Sequence, residues 1–126
     1  MTFETRITSL LSDSAITALV STRAGPVTGG QQTALPYLVW QRISTVPVED
    51  HGAGTTLEEI TIQVSCFAST YAGAVAIRRA VRSVFEANHT EGPITYSNAQ
   101  DLGFDDSLPA FAVSCDFSVW HDDTTA

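Results

Sequence analysis

The sequence predicts an α+β fold: an antiparallel or mixed sheet of about four strands, in two hairpins, with helices packed on one face. Three observations predict it. Apolar residues recur at helical spacing near the N-terminus and again in the middle of the chain. Four other stretches carry β-branched and aromatic residues, most clearly with a period of two. The resulting order is α-α-β-β-α-β-β, in which strands outnumber helices and follow one another directly, as hairpins do.

In the first helix Phe3, Ile7, Leu10 and Leu11 share one face. Thr2 stands at the N-cap position, and Glu4 meets the positive end of the helix dipole. Asp13 then caps a second short helix that turns Ile16, Leu19 and Val20 inward. Residues 23–34 are Gly-rich and polar and read as a long loop. A strand over about 36–48 follows, and EDHGAGTT at 49–56 is a mobile connection to the next strand.

That next strand, 57–68, alternates well. Ile60, Ile62, Val64 and Cys66 share one face; Glu59, Thr61, Gln63 and Ser65 share the other. Ser69 or Thr70 caps a helix running to about residue 88. Tyr71, Val75, Ile77, Val81, Val84 and Phe85 form its buried stripe, while Arg78, Arg79, Arg82 and Glu86 lie in water. Gly92-Pro93 ends that region, a strand covers 94–100, and a turn at 103–109 leads to the last strand. There Phe111, Val113, Cys115, Phe117 and Val119 face the core, with Ala112, Ser114, Asp116, Ser118 and Trp120 opposite.

At 126 residues the whole chain, 1–126, reads as one domain, with a globular balance of 44% hydrophobic and 16% charged residues. No apolar run has the length of a membrane span, and Glu4 and Arg6 interrupt the N-terminus, so neither membrane nor signal peptide is expected. Lysine is absent, which excludes P-loop, Schiff-base and pyridoxal-phosphate chemistry. The formal charge of −8 is uneven: residues 1–48 hold three Arg and two acids, residues 49–126 three Arg and twelve acids. Binding of nucleic acid through phosphate neutralisation is therefore not expected. An acidic surface would instead let a polyanion pass without sticking.

The usual carriers of chemistry lack their context. Cys66 and Cys115 fall on the core face and read as small buried hydrophobes. His51, His89 and His121 fall in expected loops or chain ends. Glu49-Asp50-His51 and His121-Asp122-Asp123 each lack the second half of a metal motif, since adjacent residues rarely ligate one ion together. No Ser stands in a G-x-S-x-G elbow. The reading is of a non-enzyme with no cofactor and no metal. A small hydrolase using His51 or His121 is the rival from another class, and a soluble oligomeric binding module a further one.

Assembly is the better account of the strand LPYLVWQRIS at 35–44. One parity carries Tyr37, Val39, Gln41 and Ile43; the other carries Leu38, Trp40, Arg42 and Ser44. Both faces want cover, yet one displays an arginine. Trp40 and Trp120 are taken to lie on the parity away from the core, and Trp and Arg are enriched at binding hot spots. A buried Trp contributes up to about 5 kcal/mol on association. Trp40, Arg42 and Trp120, with Arg78 and Arg82 on the long helix and Glu49, Asp50 and His51 in the mobile loop, form the candidate subunit or partner interface.

Several segments together resemble a known family. These are DSAITALV before a Gly-rich loop, ALPYLVWQRIS, ITIQVSCFASTYAGAVAIRRAVRSVF and the closing FSVW. Within them, Leu35-Pro36-Tyr37 with Gln41-Arg42-Ile43, Tyr71-Ala72, and Phe117-Ser118-Val119-Trp120 are the most specific. The chain resembles, from about residue 3 to 120, the tail completion or tail terminator proteins of long-tailed bacteriophages and gene transfer agents. The resemblance implies a structural virion protein at the neck of the tail, assembled in the host cytoplasm. It implies a homo-oligomeric ring, a hexamer, that caps the tail tube protein, stops tail elongation and offers a surface to the head connector. DNA would pass through without being specifically bound. A head-side connector of the same particle is the nearest alternative.

Overall fold

The alternating apolar residues of two long strands decide where the core lies. In the computed structural model, which describes residues 3–20, 24–26, 35–47, 57–87, 93–105 and 110–122, Ile60, Ile62, Val64 and Cys66 on one strand are buried. So are Val113, Cys115, Phe117 and Val119 on another. These are β3 (Leu57–Ala68) and β5 (Ala110–Asp122), paired antiparallel in unbroken register at the centre of one sheet. Around them stand β1 (Ala24–Pro26), β2 (Tyr37–Pro47) and β4 (Ile94–Asp105). The spatial order is β1-β2-β3-β5-β4.

The fold class is as expected, α+β in the expected order, with one strand more. Ala24–Pro26 lies inside the segment that reads as a loop and pairs parallel with Leu38–Trp40. Three residues rich in Gly and Pro carry no periodicity, so only the neighbouring strand defines them. The parallel pair makes the sheet mixed.

The strand ends also move. β4 runs to Asp105, past the expected end, because Gly103 takes a positive φ of 85° beside a register shift rather than opening a turn. β5 extends through His121, which continues the buried parity instead of lying in a loose end.

The helices are α1 (Phe3–Leu11), α2 (Ser14–Val20) and α3 (Tyr71–Ala87), all on one face of the sheet. Asp13 caps α2 through Oδ1, which accepts from the Ala15 amide at 2.9 Å. Thr70 caps α3 the same way: its Oγ1 accepts from the Gly73 amide at 3.0 Å. A Cβ on Gly73 would lie 3.0 Å from that oxygen and 3.1 Å from the Ala68 side chain, so the glycine lets α3 start hard against the end of β3. Ala74, Ile77, Val81, Val84 and Phe85 bury the stripe of α3 on the sheet. Phe85 meets Phe117 with ring centroids 4.7 Å apart. Fully burying a side chain of this size contributes about 1.5–3 kcal/mol.

Two members of the expected apolar faces are exposed instead: Tyr71, in the first turn of α3, and Leu19 on α2. Each lies at the margin of its helical stripe. Tyr71 places its hydroxyl on an edge-strand carboxylate rather than in the core.

Candidate functional site

Strand parity places the two tryptophans on opposite faces of the sheet. Leu38, Trp40 and Arg42 pair with Cys66, Val64 and Ile62, all on the helix face. Trp40 is 6% exposed and meets Phe3 edge to face, centroids 6.1 Å apart. Its expected place away from the core is therefore corrected. Both parities of this strand are apolar, so alternation alone leaves the choice open; α1 decides it by laying Phe3 over Trp40. Trp120 pairs with Glu59, half-buried on the helix-free face, as expected.

Arg42 stands at the rim of the same cluster. Its guanidinium lies 4.7 Å from the centroid of Phe3 and makes a 3.0 Å ion pair with Glu4. A bulge follows at once, where the register shifts between Arg42 and Ser44. It leaves Ile43 and Val46 each 52% exposed, an apolar pair at the end of β2. Glu49, Asp50 and His51 lie outside the described residues.

A second cluster lies on α3. Arg78 Nη1 donates to the Tyr96 hydroxyl at 3.0 Å, and the Arg82 guanidinium stacks 4.1 Å from the Tyr96 centroid. Arg82 Nε also pairs with Glu86 at 2.8 Å, the i,i+4 contact that the spacing predicts. Arg78, Arg79, Arg82, Ser83 and Glu86 line a shallow groove of about 370 Å³. Tyr96, on β4, is what holds two arginines upright over the edge of the sheet. Its parity could have suggested this: Tyr96 pairs with the core residue Phe117.

Sequence reasoning missed Arg6. It sits within an otherwise amphipathic helix yet is only 3% exposed, because Nη1 donates to the Trp120 carbonyl at 3.0 Å and lies 3.4 Å from His121 Nδ1. His121 is 1% exposed, and Phe3 packs edge-on against it at 5.7 Å. Its Nε2 meets no protein partner among the described residues. One periodic signal was available: position 121 extends the buried series 113, 115, 117, 119.

Burial pushes the Cys115 thiol up to about 12 and raises Cys66 well above its usual value, with the neighbouring thiol adding to the effect on Cys66. Both are poor thiolates. Tyr71 donates to Asp101 Oδ2 at 2.8 Å, and this bond, then the carboxylate's charge, raises its pKa. Among the described residues no three His, Cys, Asp or Glu side chains gather as a metal site would require.

What the geometry offers, then, is surface: an arginine face on α3, an apolar end of β2, and a helix-free sheet face. That face displays Gln41, Gln63, Asp116 and Glu59 and ends in Trp120. The Gln41 and Gln63 amides bond to each other across it at 3.1 Å.

The family model described as "Tail completion protein gp17" matches residues 7–122. Among solved structures, a chain of "Virion of native gene transfer agent (GTA) particle" shares the fold, with a TM-score of 0.68 at 15% identity over 90% of each chain. No curated protein matches the sequence.

Proposed function

The chain belongs to the tail completion protein gp17 family, and on that premise we propose that it forms a ring on the end of a phage-type tail tube. The ring, a hexamer, ends tube elongation and presents the surface that joins tail to head. It acts by binding rather than by catalysis. The single observation that carries this reading is the match of the family over residues 7–122, nearly the whole chain.

The exposed features fit that role. Contacts between subunits would use Arg42, Arg78, Arg82 and Trp120, with Trp40 holding Arg42 and α1 in place from behind. Glu49, Asp50 and His51 would reach toward a neighbouring ring or the lumen. A net charge of −8 suits a channel through which DNA moves without being retained.

The test is capping. Purified protein is added to tail tubes with excess tube subunit, and tube length and ends are recorded by electron microscopy. Arrested elongation with a ring at one end is expected. Continued elongation would overturn the proposal, and attachment to filled capsids in place of tubes would make it a head-side connector.

A further inference from the structure

Half of the cations of this chain stand on little more than one turn of α3, as Arg78, Arg79 and Arg82. In a chain with 14 acids to 6 arginines, neutral pairing of every guanidinium would be easy. It does not happen. Arg82 pairs with Glu86, but among the described residues Arg78 donates to the Tyr96 hydroxyl without an ion pair, and Arg79 makes none either. Tyr96 holds the group on the helix side of the sheet, over edge strand β4.

The opposite side of the protomer has the complementary character. Among the described residues the helices pack on one face, and the other displays Asp116 and Glu59 in the two central strands, with Gln63 directly opposite Asp116 and Trp120 directly opposite Glu59. No side-chain ion pair engages either carboxylate among the described residues. A basic patch and an acidic face on opposite sides of one protomer cannot meet within that protomer. They can meet between protomers, and a contact between two different surfaces of the same chain is the heterologous kind, which forms a ring when the rotation between copies closes.

We propose that the α3 arginine face of one copy docks on the helix-free sheet face of the next, with Arg78 and Arg79 meeting Glu59 and Asp116. This rests on the ring reading above and names the surfaces that build the ring. Guanidinium–carboxylate pairs suit the task because the planar fork fixes orientation as well as attraction. The six arginines against 14 acids argue for a protein partner over a nucleic acid.

The experiment is charge reversal in the full chain, read by sedimentation and native mass spectrometry, alone and on tail tubes, with circular dichroism confirming the fold. Arg78→Glu with Arg79→Glu, and separately Glu59→Arg with Asp116→Arg, are each expected to weaken ring formation by at least about tenfold. The chain carrying all four reversals, and an equal mixture of the two double variants, are expected to recover it. Intact rings in both double variants, or no recovery in the combinations, would overturn the pairing while leaving the ring standing. A wild-type chain that is monomeric both free and on tubes removes the ring and the pairing together. Intact rings in one double variant alone would take that face out of the contact and overturn the pairing as well.

Discussion

The guanidinium of Arg6 donates through Nη1 to the main-chain carbonyl of Trp120, 114 residues further along the chain, at 3.0 Å. This bond ties the first helix to the last strand. It also satisfies a carbonyl near the end of β5 and brings a cation into an apolar cluster with Phe3 and His121. A part-buried hydrogen bond from a charged donor is expensive to lose, because the carbonyl gives up its charged partner in a site with restricted access to water.

Arg6→Met should therefore destabilise the monomer by about 1.5–3 kcal/mol. Urea unfolding followed by circular dichroism measures it. A loss below about 0.5 kcal/mol would show that the bond is replaced by solvent.

Trp40→Ala is expected to cost about 3–5 kcal/mol in the same measurement, since the side chain is buried against Phe3 rather than displayed. Loss of the ring in this variant should accompany loss of the fold. A well-folded monomer with unchanged stability would put Trp40 in the subunit contact instead.

The Arg42–Glu4 pair should be far weaker. Its side chains are 37% and 64% exposed, and exposed ion pairs contribute about 0.2–1 kcal/mol, less as salt rises. A double-mutant cycle with Arg42→Gln and Glu4→Gln gives the coupling directly. Arg42→Ala should cost slightly more than the cycle, through the lost contact with the Phe3 ring.

Cys66 and Cys115 should resist disulfide-exchange reagents near pH 8 in the folded chain and react promptly in denaturant. Their raised pKa values also set a sign. The folded state keeps its thiol protons to higher pH than the unfolded state, so stability is fully present below 9.0 and falls as pH rises toward about 12. Urea midpoints across that window, compared with a Cys115→Ala variant, should show a shallower alkaline decline in the variant.

Much of this fold is legible in the sequence. The bounds of β3 follow from its alternation, and the α3 cap from Thr70, because each depends on contacts within a few residues. The interface reading of Arg78 and Arg82 came from spacing on one helix, and Tyr96, their common partner on β4, did not. The resemblance carried by LPYLVWQRIS and FSVW led to the family that the match over 7–122 shows.

What the sequence determined by itself is the class of the fold, the order of its elements apart from β1, and the family, since periodicity and local capping act over one or two turns. What only the tertiary structure decided is which way an ambiguous strand faces. β2 is apolar on both parities, and Trp40 turns inward because Phe3 of a remote helix covers it. Arg6 and His121 are buried for the same reason: their partners lie more than a hundred residues away in the chain. Burial and pairing across such distances depend on how the layers stack, and no local pattern of residues encodes that.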